Sequence, residues 1–220
     1  STDNLGGFSM AVISECVVVP PFQSNCWILG CGETQEGVVI DPGEVDCIRE
    51  VLEEYKLTLK YLIHTHGHLD HVSATAVLQR EMGAPVLIHE AEGILLDNLS
   101  TQGMMFGLAA PESPTVDQHI REGDQISFGR FTLSVIETPG HSPGGLCLKL
   151  EGENILFAGD TLFRGSIGRT DLWGASYEQL MDSIRDKLWP LPDDTVVCPG
   201  HGPSTTIGTE KRENPFLQNL

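Results

Sequence analysis

Basic residues are scarce in this chain. Its 220 residues include 13 Lys and Arg against 31 Asp and Glu, a formal net charge of −18. A surface this acidic repels phosphate backbones and anionic lipid, which counts against nucleic acid or a membrane as partner. Long apolar runs are missing as well: none approaches the roughly 18–20 residues that a membrane-spanning helix needs. The six cysteines (Cys16, Cys26, Cys31, Cys47, Cys147, Cys198) form no C-x-x-C pair, and residues 1–9 lack the basic-then-apolar pattern of a secretory signal. The cysteines therefore read as reduced, mostly buried small apolar residues of a cytoplasmic protein. The chain does not open with Met, and Met10 is a candidate internal start. No low-complexity stretch, charge block or Pro/Ser-rich linker divides it, so residues 1–220 read as one domain.

What is present is a repeated strand-and-helix rhythm. Residues 11–19, 26–29 and 37–40 are apolar, β-branched or aromatic, and the third run meets the turn Asp41-Pro42-Gly43. Ile48, Val51, Leu52 and Tyr55 then share one face at helical spacing. Residues 59–63 form a short apolar run that ends in histidines. Val72, Ala76 and Met82 follow a helical pattern that Gly83 can close as a left-handed cap. Residues 85–88 read as a strand, 94–99 as a short helix and 100–116 as a loop. Met104, Met105 and Phe106 in that loop read first as core and second as a pocket wall. Phe131, Leu133 and Val135 alternate as a strand, followed by strands at 145–150 and 154–158. Ser176 and Gln179 make a capping box for a helix with Tyr177, Leu180, Met181, Ile184 and Leu188 on its buried stripe. Residues 195–198 are the last expected strand. Two strand blocks, each bearing helices, predict an α/β fold of four layers: two sheets face to face with helices outside, αββα.

Four of the eight histidines fall in one short run, His64-Thr65-His66-Gly67-His68-Leu69-Asp70-His71. Imidazole nitrogen and carboxylate oxygen are ligands for Zn²⁺ and, less selectively, Fe or Mn. In an extended segment His66 and His68 point the same way, while Asp70 and His71, where the chain turns into a helix, can face a second point. One run thus offers two ligands to each of two metals. Three more polar segments follow apolar strands: Thr138-Pro139-Gly140-His141, Gly159-Asp160-Thr161 and Pro199-Gly200-His201-Gly202. A lone Gly-Asp or Pro-Gly-His is ordinarily just a turn. All four segments in one chain, each after a strand, are hard to reach by chance. His64, His89 and His119 remain as structural or surface residues, with His64 able to support the site from behind.

The run Thr65 to His71 resembles the T-H-x-H-x-D-H signature of the metallo-β-lactamase superfamily. Gly159-Asp160-Thr161-Leu162-Phe163, Gly165-Ser166-Ile167-Gly168-Arg169-Thr170-Asp171 and Pro199-Gly200-His201-Gly202-Pro203 are similar to its glyoxalase II branch, and in particular to short bacterial members. The resemblance implies an αββα sandwich with two divalent metals at one end, zinc first, with iron or manganese as alternatives. It implies that His66, His68 and His141 hold one metal, that Asp70, His71 and His201 hold the other, and that Asp160 bridges them. Full-length glyoxalase II enzymes carry a C-terminal helical domain that helps to bind glutathione. Only 19 residues follow His201 here, which puts that affinity in question.

The expected activity is hydrolysis of a thioester such as S-D-lactoylglutathione, with a metal-bridging hydroxide as nucleophile. Asp70 orients it and takes its proton, and the thiolate leaves without a strong general acid. Arg169 and Arg164, after Asp160, are candidates for a substrate carboxylate, with a structural role equally weighted. The same frame supports rivals. The charge of −18 counts against a nuclease. A lactonase differs in pocket residues, and a glutathione persulfide dioxygenase would use one iron held by His66, His141 and Asp160. A non-catalytic binding protein would show degenerate ligands, which this sequence does not.

Overall fold

The computed structural model describes residues 11–220; the readings of residues 1–9 and Met10 lie outside the described residues. Strands β1 (Ile13–Val19), β2 (Ser24–Gly30), β3 (Glu36–Ile40), β4 (Thr58–Ile63), β5 (Val86–Ile88) and β6 (Gln118–His119) form the first sheet in sequence order. Its first three strands are antiparallel and the rest parallel. The second sheet contains β7 (Gln125–Phe128), β8 (Phe131–Glu137), β9 (Leu146–Leu150) and β10 (Ile155–Gly159). A small hairpin, β11 (Leu162–Phe163) and β12 (Ser166–Ile167), follows Asp160. The second sheet is completed by β13 (Val196–Pro199) and β14 (Thr205–Thr206), giving the order β14-β13-β10-β9-β8-β7.

Alternation along the strands produces the layers. In β3, Val38 and Ile40 join the core between the sheets, together with Leu133, Leu148 and Phe157 of the second sheet. Val39 faces the other way, into a core shared with Ile48, Leu52 and Leu78 of α1 (Val45–Glu54) and α2 (Thr75–Met82). In β10, Phe157 faces inward, while Leu156 and Ala158 pack under Leu180 of α5 (Tyr177–Ser183 below) and under Ile207. Strands apolar on both faces belong to sheets covered on both sides, and each fully buried Leu, Ile or Val contributes roughly 1.5–3 kcal/mol. The fold is therefore the four-layer αββα sandwich.

Capping explains where the helices begin. The Glu44 carboxylate accepts from the Asp46 and Cys47 amides at 3.0 and 2.7 Å to start α1, and Gly83 ends α2 at φ 68°. Where a loop is expected at 100–116, a short α3 (Gly93–Asp97) is followed by a separate helix, α4 (Leu99–Phe106). Its buried Leu99 and Gln102 hold it against the histidine run, a tertiary gain that local pattern does not announce. Met104 and Met105 on it are 75% and 63% exposed, so neither is core. α5 (Tyr177–Ser183) starts at Ser176, whose Oγ accepts from the Gln179 amide at 3.2 Å, and runs on as one π turn, Ile184–Leu188. Leu180, Ile184 and Leu188 are buried as expected, whereas Tyr177 is exposed. The strand at 196–199 is not the last: β14 and α6 (Ile207–Glu213) close the second sheet and its outer layer.

Candidate metal centre

Four loops meet where strands β4, β8, β10 and β13 end. The register pairs Gly159 with Pro199, which brings the segments after β10 and β13 side by side. The histidine run of the first sheet joins them across the seam. The Leu146 amide donates to the Thr65 carbonyl at 2.8 Å, and the Asn25 amide to the Gly200 carbonyl at 2.7 Å. Asn25 Nδ2 also donates to the carbonyls of Pro199 and Gly202, both at 2.9 Å. Gly200 is required by space: a Cβ there would lie 2.1 Å from Asp160 Oδ1 and 3.0 Å from His71 Cε1.

The side chains form two groups. The ligating atoms of His66, His68 and His141 lie within 4.8 Å of one another, and so do those of Asp70, His71 and His201. Asp160 stands between them. Its Oδ2 lies 3.5 Å from His66 Nε2, 3.4 Å from His71 Nε2 and 3.4 Å from His141 Nε2. Its Oδ1 lies 3.0 Å from His201 Nδ1. Asp70 Oδ2 lies 3.3 Å from His71 Nε2 and 3.1 Å from His201 Nε2.

The outward ring nitrogens reveal what the inward ones are for. His141 Nδ1 donates to the Arg169 carbonyl at 2.8 Å, which leaves the Nε2 lone pair to accept from His68 Nδ1 at 3.0 Å. His71 Nδ1 meets Asp41 Oδ2 at 3.0 Å. Thr65 Oγ1 donates to the same Oδ2 at 2.6 Å and faces His66 Nδ1 at 2.9 Å. With these tautomers, Nε2 of both His66 and His71 turns inward, and among the described residues neither buried atom has a hydrogen-bond partner. An unpartnered imidazole nitrogen next to carboxylates is the arrangement a divalent cation satisfies. The residues present fit the metals that the resemblance implies.

Electrostatics separates the groups. Burial, then His66, pushes His141 down to about 4, and burial with His66 and His141 holds His68 well below the usual range. Both are neutral near pH 7, with lone pairs to give. In the second group burial pulls downward too, but carboxylates win. Asp70, Asp160 and Asp41 raise His71 well above its usual value, and Asp160 and Asp70 lift His201 to about 9. Burial opposes the ionised forms of Asp70 and Asp160, yet the facing histidines, His71 first, hold both carboxyls well below their ordinary range. Protons balance these carboxylates in the absence of cations, so metal uptake there releases protons.

All seven residues singled out as ligands are thus brought together. Arg169 reaches the site differently: its carbonyl fixes His141, and the residue is among those lining a cavity of about 120 Å³ beside the two groups. Arg164 is exposed and is not among the described residues lining that cavity. His64 is buried and bonded to the Leu87 carbonyl at 3.1 Å and to Thr75 Oγ1 at 2.7 Å, tying β4 to β5 and α2. His89 bonds to Glu137 at 3.0 Å, and His119 is exposed on β6.

Sequence reasoning missed three supporting residues. Asp41 sat inside a turn motif, and its carboxylate also accepts from the Thr65 amide at 2.8 Å. Gln102 accepts from the Leu69 amide at 2.8 Å and donates to the carbonyls of Leu95 and Gly67 at 2.9 and 3.3 Å, which pins the histidine run to α4. Glu92, fully buried, takes the Ser142 hydroxyl beside His141. No spacing rule marks the last two.

The family model of the metallo-beta-lactamase superfamily matches residues 19–201, and the chain belongs to that superfamily: it is a metallo-hydrolase with a divalent-metal site. A Haemophilus influenzae protein named hydroxyacylglutathione hydrolase GloC is 38% identical over 207 residues, 93% of this chain and 98% of its own. The crystal structure of BLEG-1 B3 metallo-beta-lactamase superposes with a TM-score of 0.87 at 36% identity, covering 94% of this chain and 100% of that one. TTHA1623, solved in a di-iron-bound form, gives a TM-score of 0.85 at 37% identity over 92% of this chain and 100% of its own.

Proposed function

We propose that the protein is a binuclear metallo-hydrolase that cleaves a small-molecule thioester of the S-D-lactoylglutathione type. The observation that carries this reading is the position of Asp160, whose one carboxylate faces His66 and His141 of one group and His71 and His201 of the other. His66, His68 and His141 would hold one divalent cation, Asp70, His71 and His201 the second, and Asp160 both. Zinc suits five imidazoles and two carboxylates best, with iron or manganese as the alternatives. Bound there, such ions supply Lewis acidity and acidify water to near neutral pKa. The name of the Haemophilus relative supports a glutathione thioester as the first substrate to try.

The chain's own groups do the rest. Asp70, which lines the cavity, would orient the attacking water and take its proton. The Asp41 and Thr65 bonds keep His66 and His71 aimed, so no reorganisation accompanies reaction. Phe22, Phe106 and Leu172 give the cavity apolar walls. A thiolate is a good enough leaving group to depart without a proton donor. The six free cysteines accord with a reducing, cytoplasmic setting, and no helix among the described residues is long and apolar enough to cross a membrane.

The test is steady-state hydrolysis of S-D-lactoylglutathione by metal-replete protein, with metal counted per chain. A kcat/KM above about 10⁴ M⁻¹s⁻¹ with two ions per chain supports the reading. One iron per chain, with oxygen consumed on glutathione persulfide, moves the protein to the dioxygenase class.

A further inference from the structure

The thioester reading leaves open which half of the substrate the cavity grips, and the walls answer that. Besides the candidate ligands, the cavity is lined by Phe22, Leu69, Gln102, Phe106 of α4, Arg169 and Leu172. The Phe22 and Phe106 rings meet edge to face, centroids 5.0 Å apart at 80°, which makes a continuous apolar shelf. Phe22 is anchored from behind by the small core of Leu69, Val72, Ile88, Leu96 and Leu99.

Size sets the second limit. About 120 Å³ is less than the roughly 150 Å³ void that takes up benzene, and well under the 300–1,000 Å³ or so of sites for drug-sized ligands. A tripeptide thiol does not fit inside it; a compact acyl group does. Charge sets the third. Arg169 is the sole Lys or Arg among the described residues lining the cavity, and its Nε and Nη2 already hold Asp171 Oδ1 and Oδ2 at 2.7 and 2.9 Å. The carboxylates of Asp70 and Asp160 face the same space. An acyl group with a terminal carboxylate would meet apolar walls and a guanidinium already in a two-point pair.

Resting on the thioesterase reading, we infer that the substrate's acyl group is short and uncharged, its apolar part seated against Phe22 and Phe106, with the thiol half lying at the mouth. A branched four- or five-carbon acyl chain fills the available space; acetyl leaves the shelf bare, and succinyl brings an unpaired charge to it.

The experiment compares three thioesters of one neutral thiol, N-acetylcysteamine, on the full-length metal-replete protein: 3-methylbutanoyl, acetyl and succinyl. The expected kcat/KM for 3-methylbutanoyl exceeds acetyl by about tenfold or more, since each methylene in an apolar pocket is worth roughly tenfold or better, and succinyl falls below acetyl. Phe106→Ala then brings the 3-methylbutanoyl to acetyl ratio towards one, while Phe106→Leu, which keeps the bulk, preserves most of it. Equal rates on 3-methylbutanoyl and acetyl, a succinyl rate matching 3-methylbutanoyl, or an unmoved ratio in well-folded Phe106→Ala would each overturn the assignment while leaving thioester hydrolysis intact. Failure to turn over any of the three or S-D-lactoylglutathione, with both ions bound, takes both readings down together.

Discussion

Asp41 Oδ2 and His71 Nδ1 lie 3.0 Å apart in a fully buried pair, and the same oxygen receives the Thr65 hydroxyl that faces His66. One carboxylate, belonging to neither ligand group, therefore aims a histidine of each. Its backbone is left-handed, φ 55°, a conformation that Asp tolerates better than most side chains. Asp41→Asn keeps the shape and removes the charge. Cation affinity is expected to weaken by about 10–100-fold, the usual cost of losing such a partner. Chelator-competition titration reads this directly, and unaltered affinity would deny Asp41 its aiming role.

Asp160→Ala removes the carboxylate shared by both groups. Metal analysis should find at least one ion per chain missing, and kcat/KM should drop on the order of a hundredfold or more, the scale on which a lost charge partner at a reacting centre is felt. Full occupancy with normal turnover would refute the shared role.

Glu92 predicts a pH effect on stability. Burial raises its carboxyl above the ordinary value of 4.5, against the pull of the Ser142 hydroxyl, and Oε2 has no hydrogen-bond partner among the described residues. With the folded pKa raised, the native state holds a proton that the unfolded chain gives up, so stability falls as pH rises from about 4.5 through the raised value. Glu92→Gln removes that ionisation. Thermal melts of the metal-free protein should show the variant gaining on the parent from acid to neutral pH, and parallel curves would disprove the assignment.

Asp171→Asn should release the Arg169 guanidinium. Exposed ion pairs are worth about 0–1 kcal/mol, so the gain is bounded: KM for the anionic S-D-lactoylglutathione should fall by up to about fivefold, with no change for a neutral thioester. An equal shift for both substrates would show that Asp171 shapes the loop rather than masking Arg169.

How far the sequence reaches depends on what each signal encodes. The αββα layers were legible because strands such as Val38-Val39-Ile40 are apolar on both faces, which only doubly covered sheets require. The cluster of candidate ligands was legible because imidazoles and carboxylates after strands are costly to place without a purpose. Gln102 and Glu92 were not, since their value lies in partners 33 and 50 residues away. α4 escaped for a related reason: its Met104 and Met105 face outward, and docking of Leu99 and Gln102 outweighs local preference. Asp41 was visible only as a turn residue, because side-chain reach across a sheet end leaves no trace in spacing.

The seam between the sheets has a thermodynamic consequence. His66, His68, Asp70 and His71 come from the first sheet's side, and His141, Asp160 and His201 from the second's. Neither half alone completes either candidate ligand group, so cations bound by the closed sandwich would act as rivets. At a free concentration a hundred times the dissociation constant, one such site adds about 2.7 kcal/mol against opening. With the ligands as proposed, metal supply would set the stability of the folded chain.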